Sequence, residues 1–319
     1  MEFKYDRVNL DQVDSEDTRY KISSGDVKPE LVASIDRLGL LNLPILTTGN
    51  DRGFKIVSGF KRIAACRQLG VAHIPARFLS SEQDMGQAIQ IAIEDNTSQR
   101  ELNLIEQARA IELLWMYHLD MNKLVDAANM AGLAVNMEMA AKLKILAGMN
   151  ALVQKGVLEG SLSLPVAMQL HGLKDAEGAN VIAELLVELG LSLNRQREVI
   201  ENIVSICRRD DLLVQQLLME DAIRDCRNNG EIDRKQKGAQ IRGLLKRRRY
   251  PNIARHEQRF AVMVRKLNLS PGTHLIPPQF FESPTYTLKI DFKSPKELAE
   301  KLGEIDRLSK SQELKTLWE

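Results

Sequence analysis

The residues best placed to do chemistry stand together at Ser58-Gly59-Phe60-Lys61-Arg62, directly after the strand-like run Phe54–Val57. A strand that ends in glycine and opens into a helix leaves backbone N–H groups facing outward at the positive end of the helix dipole, where phosphate is stabilised. Gly59 lets a ligand approach the backbone closely, and Lys61 and Arg62 add charge-assisted donors. An exposed basic first turn would account for these five residues equally well. The acidic pair Glu94-Asp95 could hold a metal, and a solvated helix end explains it as readily. His73, His118, His171, His256 and His274 are scattered and show no metal-ligand spacing.

The elements needed to position this turn can be read around it. Pro29 fits a first helical position, with Leu31, Ile35 and Leu38 on one face and Gly39 just past the end. Pro44–Thr48 and Phe54–Val57 are short strands joined by GNDRG, a hairpin signal. Lys61–Leu69 reads as a helix stopped by Gly70, Ile74–Leu79 as a third strand, and residues 82–96 as an amphipathic helix through Met85, Ala88, Ile89, Ala92 and Ile93. Residues 1–102 therefore form an α+β domain.

From Asn103 the pattern turns helical. Asn103 and Glu106 form a capping-box pair, and Leu104, Ala108, Ile111 and Trp115 make a core stripe. Met121–Leu146 carries Ala128 and Gly132 where a helix-turn-helix needs a small residue and a turn glycine. Its second helix, from about Asn136, offers Asn136, Glu138, Lys142 and Lys144 as groove-reading side chains, while Met137, Met139, Leu143 and Ile145 read as core. Arg234–Arg249 carries basic residues and no acidic ones, which makes Lys246, Arg247, Arg248 and Arg249 candidates for phosphate contact; a solvated helix end is the competing reading. Residues 103–250 are thus an all-helical domain. Beyond Pro251 a Pro-rich connector, the strand-like Thr285–Phe292 and an amphipathic helix through Leu298, Leu302, Ile305 and Leu308 make residues 251–319 a small α/β module.

Composition excludes several classes. No apolar run is long enough to span a bilayer, and the first twenty residues have no apolar core of the kind a secretory leader needs. Cys66, Cys207 and Cys226 are odd in number and widely spaced, so neither a disulfide framework nor a metal clip is expected; a reducing cytosol fits. A net charge of +1 gives no polyanion signal for the chain as a whole, only for the basic segment.

Three blocks in order, SIDRLGLLNLPILTT, SGFKRIAA and IEDNTSQRELNLIEQARA, resemble the ParB family, whose pattern runs from a helix ending in Gly through a Pro–aliphatic strand to Gly-Glu-Arg-Arg and a later Glu-Asn…Leu-Asn-Pro-Ile-Glu block. The resemblance is close over residues 8–115 and looser to about 170. It implies a CTP pocket in which Gly59, Lys61 and Arg62 hold phosphates, Asp95 and Asn96 lie near a magnesium ion, Arg19 helps close the site and the Leu43-Pro44-Ile45 turn walls the base. Three departures stand out: Phe60 replaces a glutamate linked to nucleotide turnover, Lys61 replaces an arginine, and Leu43 stands where glutamine is usual. Phe60 also replaces the cysteine that sulfiredoxins need and the acidic base of the free-serine kinases, so no catalytic residue is assigned and a weak CTPase is the most that is expected. Pro165-Val166-Ala167 replaces the family's Gly-His-Ala, which counts against its specific centromere site. The resemblance implies a cytoplasmic, nucleoid-associated homodimer that binds DNA, switches with CTP and magnesium, and works beside a partner ATPase. A nucleotide-independent transcriptional or plasmid-maintenance regulator, and an enzyme of the kinase or nuclease type, are the other readings.

Overall fold

The computed structural model describes residues 3–49, 53–79 and 85–315. The tip of the expected hairpin, residues 50–52, and the first residues of the helix expected from 82 lie outside them. The chain divides into two compact units, residues 1–193 and 194–319.

The first unit begins with a mixed layer: β1 Lys4–Asn9, β2 Val13–Asp14, α1 Pro29–Leu38, β3 Ile45–Thr48, β4 Phe54–Ser58, α2 Phe60–Gln68, β5 His73–Phe78 and α3 Met85–Thr97. The strands form one sheet in the order β1-β5-β3-β4-β2. β1 runs antiparallel to β5 and β3 antiparallel to β4, whereas β3–β5 and β2–β4 pair in parallel. Val8, Leu46, Ile56, Ile63, Cys66 and Ile74 fill the core between sheet and helices. Pro29 and Gly39 bound α1 as their types require, Gly39 with φ 72°.

Two of the five strands carry no sequence signal. Only Val8 of KYDRVN is buried in β1, and β2 has two residues, so neither shows an alternation long enough to read. Leu38, expected on the buried face of α1, is 54% exposed; Ile35 is the buried residue there.

The helices follow: α4 Leu104–His118, α5 Met121–Met130, α6 Met137–Ala147, α7 Ala151–Leu158, α8 Leu164–His171 and α9 Ala176–Leu189. The capping box of α4 forms as expected from Asn103 and Glu106. Its core stripe is shifted: Ile105, Ala108, Ile111 and Leu114 are buried, while Leu104 and Trp115 are half-buried.

The second unit contains α10 Leu193–Asp210, α11 Val214–Leu218, α12 Asp221–Asn228, α13 Arg234–Arg249 and α14 Pro251–Leu267. The antiparallel hairpin β6 Thr273–Ile276 and β7 Thr287–Ile290 comes next, then α15 Pro295–Lys310 and α16 Gln312–Lys315. On α15 the buried positions are Lys301 and Glu304, while Leu302 of the expected apolar stripe is exposed. Lys301 Nζ donates to the Pro271 carbonyl at 2.5 Å, and Glu304 accepts from Ser270 N at 2.7 Å, so hydrogen bonds rather than leucines fix this helix to the turn before β6. Among the described residues no helix is long and apolar enough to cross a membrane.

One buried charge ties the layer to the helices in the first unit. Glu106 is 1% exposed and accepts from Ser24 N (2.7 Å), Ser24 Oγ (3.0 Å) and Asn103 N (3.2 Å), and from both terminal nitrogens of Arg100 (2.6 and 2.8 Å). Burial alone would raise its pKa, but the Arg100 fork and the Ser24 and Asn103 donors outweigh burial and hold it at about 2, below the ordinary 4.5. With the folded value below the unfolded one, Glu106 stabilises the fold fully above pH 4.5 and loses that contribution as pH falls towards 2. Glu106→Gln is expected to cost about 2–3 kcal/mol at pH 7 and to flatten the acid limb of the stability curve. Urea midpoints of both proteins between pH 7 and pH 3 check this; parallel curves would contradict it.

Candidate anion site at the start of the second helix

Ser58 ends β4, Gly59 turns the chain at φ 98° and ψ 22°, and α2 begins at Phe60 with no side chain capping it. Two constraints require glycine here. The φ lies in the left-handed region, and an added Cβ would sit 2.8 Å from Pro44 Cβ and 3.0 Å from Pro44 Cα. The first-turn amides of α2 border a cavity of about 260 Å³ lined by Ser58, Gly59, Phe60, Lys61, Arg62, Asp95, Asn96 and Arg100 among others. A second cavity, of about 460 Å³, shares Phe60 and Lys61 as its wall. Phe60 itself packs against the core of the mixed layer.

The charged residues around the first cavity differ in how far they are already engaged. Arg62 is 14% exposed, and the four N–H bonds of its terminal nitrogens find acceptors in the Asn42 (3.0 Å) and Leu43 (3.2 Å) carbonyls, Asp95 (3.0 Å) and Ser58 Oγ (3.4 Å). Asp95 also accepts the Ser58 hydroxyl. Arg62 is therefore a staple joining the 42–44 turn, β4 and α3. Lys61 Nζ donates to the Ser24 carbonyl at 2.6 Å. Burial lowers the Lys61 pKa; Glu106 opposes this, and Arg100, Lys28 and Lys21 add to it. An anion between these cations would meet Lys61, Arg62 and Arg100, of which Arg62 is paired with Asp95 and Arg100 with Glu106.

The expected site residues are thus brought together in part. Gly59, Lys61, Arg62, Asp95 and Asn96 line one cavity. Asn96 Nδ2 donates to the Ala92 carbonyl at 2.8 Å. Arg19 lines a different cavity, with Lys21, Arg109 and Glu112. Among the described residues no three His, Cys, Asp or Glu side chains gather as a metal cluster, and Asp95 is held by Arg62. The oxygens of Asp95 and Asn96 suit a magnesium ion only as one that takes most of its ligands from phosphate and water.

The candidate DNA residues are more dispersed. α5 and α6 flank a turn in which Gly132 has φ 82°, and Ala128 on α5 is fully buried, the close crossing the spacing predicts. Asn136 caps α6 by accepting from Met139 N at 2.8 Å. Lys142 pairs with Glu138 at 2.5 Å, and Lys144 Nζ lies 3.2 Å from the Trp115 ring centroid. Met137, expected in the core, is the first residue of α6 and is 43% exposed. On α13, Arg248 pairs with Asp210 (2.6 Å) and Glu220 (3.2 Å), and Arg249 donates to Asn202 (3.0 Å). Lys246 lies 3.9 Å from Glu257, and Arg247 is exposed.

Comparisons with known proteins bear on this geometry. No family model matches the chain. It is 27% identical over 195 residues to the "Probable chromosome-partitioning protein ParB" of Rickettsia conorii, covering 60% of this chain and 63% of that protein, somewhat under two thirds of its length. It is 25% identical over 212 residues to the stage 0 sporulation protein J of Bacillus subtilis, covering 61% and 72%. The chain is similar to ParB partition proteins over part of its length. Among solved structures, the C-terminally truncated ParB of Caulobacter crescentus complexed to the centromeric parS site is 18% identical, covering 60% of this chain and 96% of that one with a TM-score of 0.35.

The residues of the site that sequence reasoning missed are Ser24, Asn42, Ser58 and Arg100. Ser24 and Asn42 act through backbone carbonyl, amide or hydroxyl groups in irregular segments, which leave no periodic signal. Arg100 and Glu106 are six residues apart across a helix break, a spacing that matches no helical pairing rule. Ser58 stood in the motif without a role. Gly59→Ala is expected to destabilise the first unit by about 2–4 kcal/mol through the left-handed backbone and the Pro44 contact. A chemical-denaturation midpoint unchanged from the parent would show that the turn adapts.

Proposed function

We propose that this chain is a DNA-binding partition protein of the ParB-like kind, and that its N-terminal module, residues 1–102, holds CTP at the start of α2. The observation that carries the reading is the gathering of Lys61, Arg62 and Arg100 around the uncapped first turn of α2. Helix N-terminus, glycine and clustered cations together are the chemistry of a polyphosphate site. Lys61 would contact phosphate directly, Gly59 would admit the ligand to the backbone, Arg62 would keep the 42–44 wall in place, and Asp95 and Asn96 would face the magnesium ion. That ion, when bound, would neutralise phosphate charge.

Phe60 in place of an acid favours a site that binds nucleotide and does not turn it over. The helical module, residues 103–250, would meet DNA through α6 and through the exposed end of α13, with Asn136, Lys246 and Arg247 the most available side chains. The module of residues 251–319 would complete a homodimer that acts on the nucleoid beside a partner ATPase. Coupling follows from geometry: the same Ser24 segment touches Lys61 in the site and Glu106 on α4, so ligand binding can select one arrangement of the following helices.

Calorimetric titration with CTP and magnesium, with ATP, GTP and UTP as controls, tests the reading. Selective CTP binding is expected, weakened about tenfold or more in Lys61→Ala. Absence of binding to every nucleotide, with salt-sensitive DNA binding intact, would instead favour a nucleotide-independent regulator, a reading to which the saturated Arg62 also lends itself.

A further inference from the structure

In the second unit, α14 has two unlike faces. His256 stacks on Phe281 with ring centroids 5.7 Å apart, and Phe260 meets Phe281 and Tyr286 at 5.9 Å each, so aromatic rings cover one face. The stripe Arg255, Arg259, Val262 and Lys266, at steps of four, three and four, lies on another. With Met263 and with Gln312 of α16 it lines a cavity of about 470 Å³. Val262 is 46% exposed there, whereas Met263 is buried.

The cations of this stripe have no acid to answer them. Arg255 donates to the Asn252 side chain within its own helix, and among the described residues neither Arg259 nor Lys266 has an ion-pair partner. The one acid of α14, Glu257, lies 3.9 Å from Lys246 of α13. Three cations around an apolar pair are the complement of a surface that is acidic with an apolar residue at its centre. Arg255 and Lys266 are eleven residues apart, about 16 Å along the helix, so a small anion would reach one end only. A second helix laid along the stripe sets acids against both ends and an apolar side chain between them. A second copy of this chain fits poorly, because an isologous pairing would place the same three cations opposite themselves. Duplex DNA would answer the cations and offer Val262 and Met263 only sugar and phosphate.

We infer that the Arg255–Lys266 face of α14 is a docking site for an acidic amphipathic helix of a partner protein. The apolar residue of that helix sits on Val262 and Met263, and its acids meet Arg255, Arg259 and Lys266. The inference depends on neither the nucleotide reading nor the DNA reading, and it leaves this face of the module out of the homodimer.

The probe is a synthetic peptide of about 16 residues, capped at both ends, with leucines at its centre and glutamates one and two turns to either side. Its binding to the full chain is read by fluorescence anisotropy, beside a peptide of the same composition in scrambled order and a short duplex DNA. The patterned peptide is expected to bind about tenfold more tightly than the scrambled one. The double variant Arg259→Gln/Lys266→Gln and the single variant Val262→Asn are each expected to weaken it about tenfold. All three side chains are exposed, so both variants are expected to keep the parent's melting temperature, which circular dichroism checks. No binding of the patterned peptide to the parent, or equal binding of the two peptides, would overturn the inference. A face made for polyanions would lose duplex DNA and both peptides together in the double variant and ignore Val262→Asn, which would also overturn it. So would a parent dimer that sediments as a monomer once Val262→Asn is made, because a second copy would then cover the face.

Discussion

Glu106 carries a negative charge into the wall between the mixed layer and the helices, and such a charge persists only where donors replace the water it has lost. Those donors come from three places in the chain: Ser24 before α1, Arg100 between α3 and α4, and Asn103 at the cap of α4. Satisfying one carboxylate therefore fixes three segments at once. The cavity at the start of α2 inherits its shape from this arrangement, because Lys61 reaches the same Ser24 that Glu106 holds. The Ile22 and Ser23 carbonyls take a further bond each from Arg109 on α4, which keeps the strap flat against that helix.

The cations around the cavity divide their work. Arg62 is structural in this arrangement, pinning turn, strand and helix together. Lys61 and Arg100 are tied by fewer bonds, Lys61 to the Ser24 carbonyl and Arg100 to Glu106 and the Glu101 carbonyl. Residues with identical formal charge thus differ in how much an anion can draw from them, and the difference lies in what each already touches. Phe60, between the glycine and the two cations, is a ring packed on the core of the mixed layer.

Much of this was legible in the sequence where local rules govern. The Asn103–Glu106 capping box, the Pro29 and Gly39 bounds of α1 and the glycine turn at 59 follow from residue types at fixed offsets. What escaped depends on tertiary partners. The short β2 pairs with β4 only because the fold brings it there, and β1 is buried along one position. On α13 the basic run promised a free surface, yet Asp210 and Glu220, distant in sequence, take Arg248. On α6 the lysines read as groove contacts, yet Glu138 and the Trp115 ring engage them. Charge is written in the sequence, but its availability is set by neighbours that only folding supplies.

The central claim is that the first turn of α2 holds a nucleotide. Hydrogen-exchange mass spectrometry with and without CTP–magnesium tests it at the residues concerned. The account predicts slower exchange of the amides at 60–62, where the ligand would take the uncapped N–H groups, together with altered exchange at 22–25, the segment that Lys61, Glu106 and Arg109 hold. Unchanged exchange at 60–62 under saturating CTP would contradict it, whatever happened elsewhere in the chain.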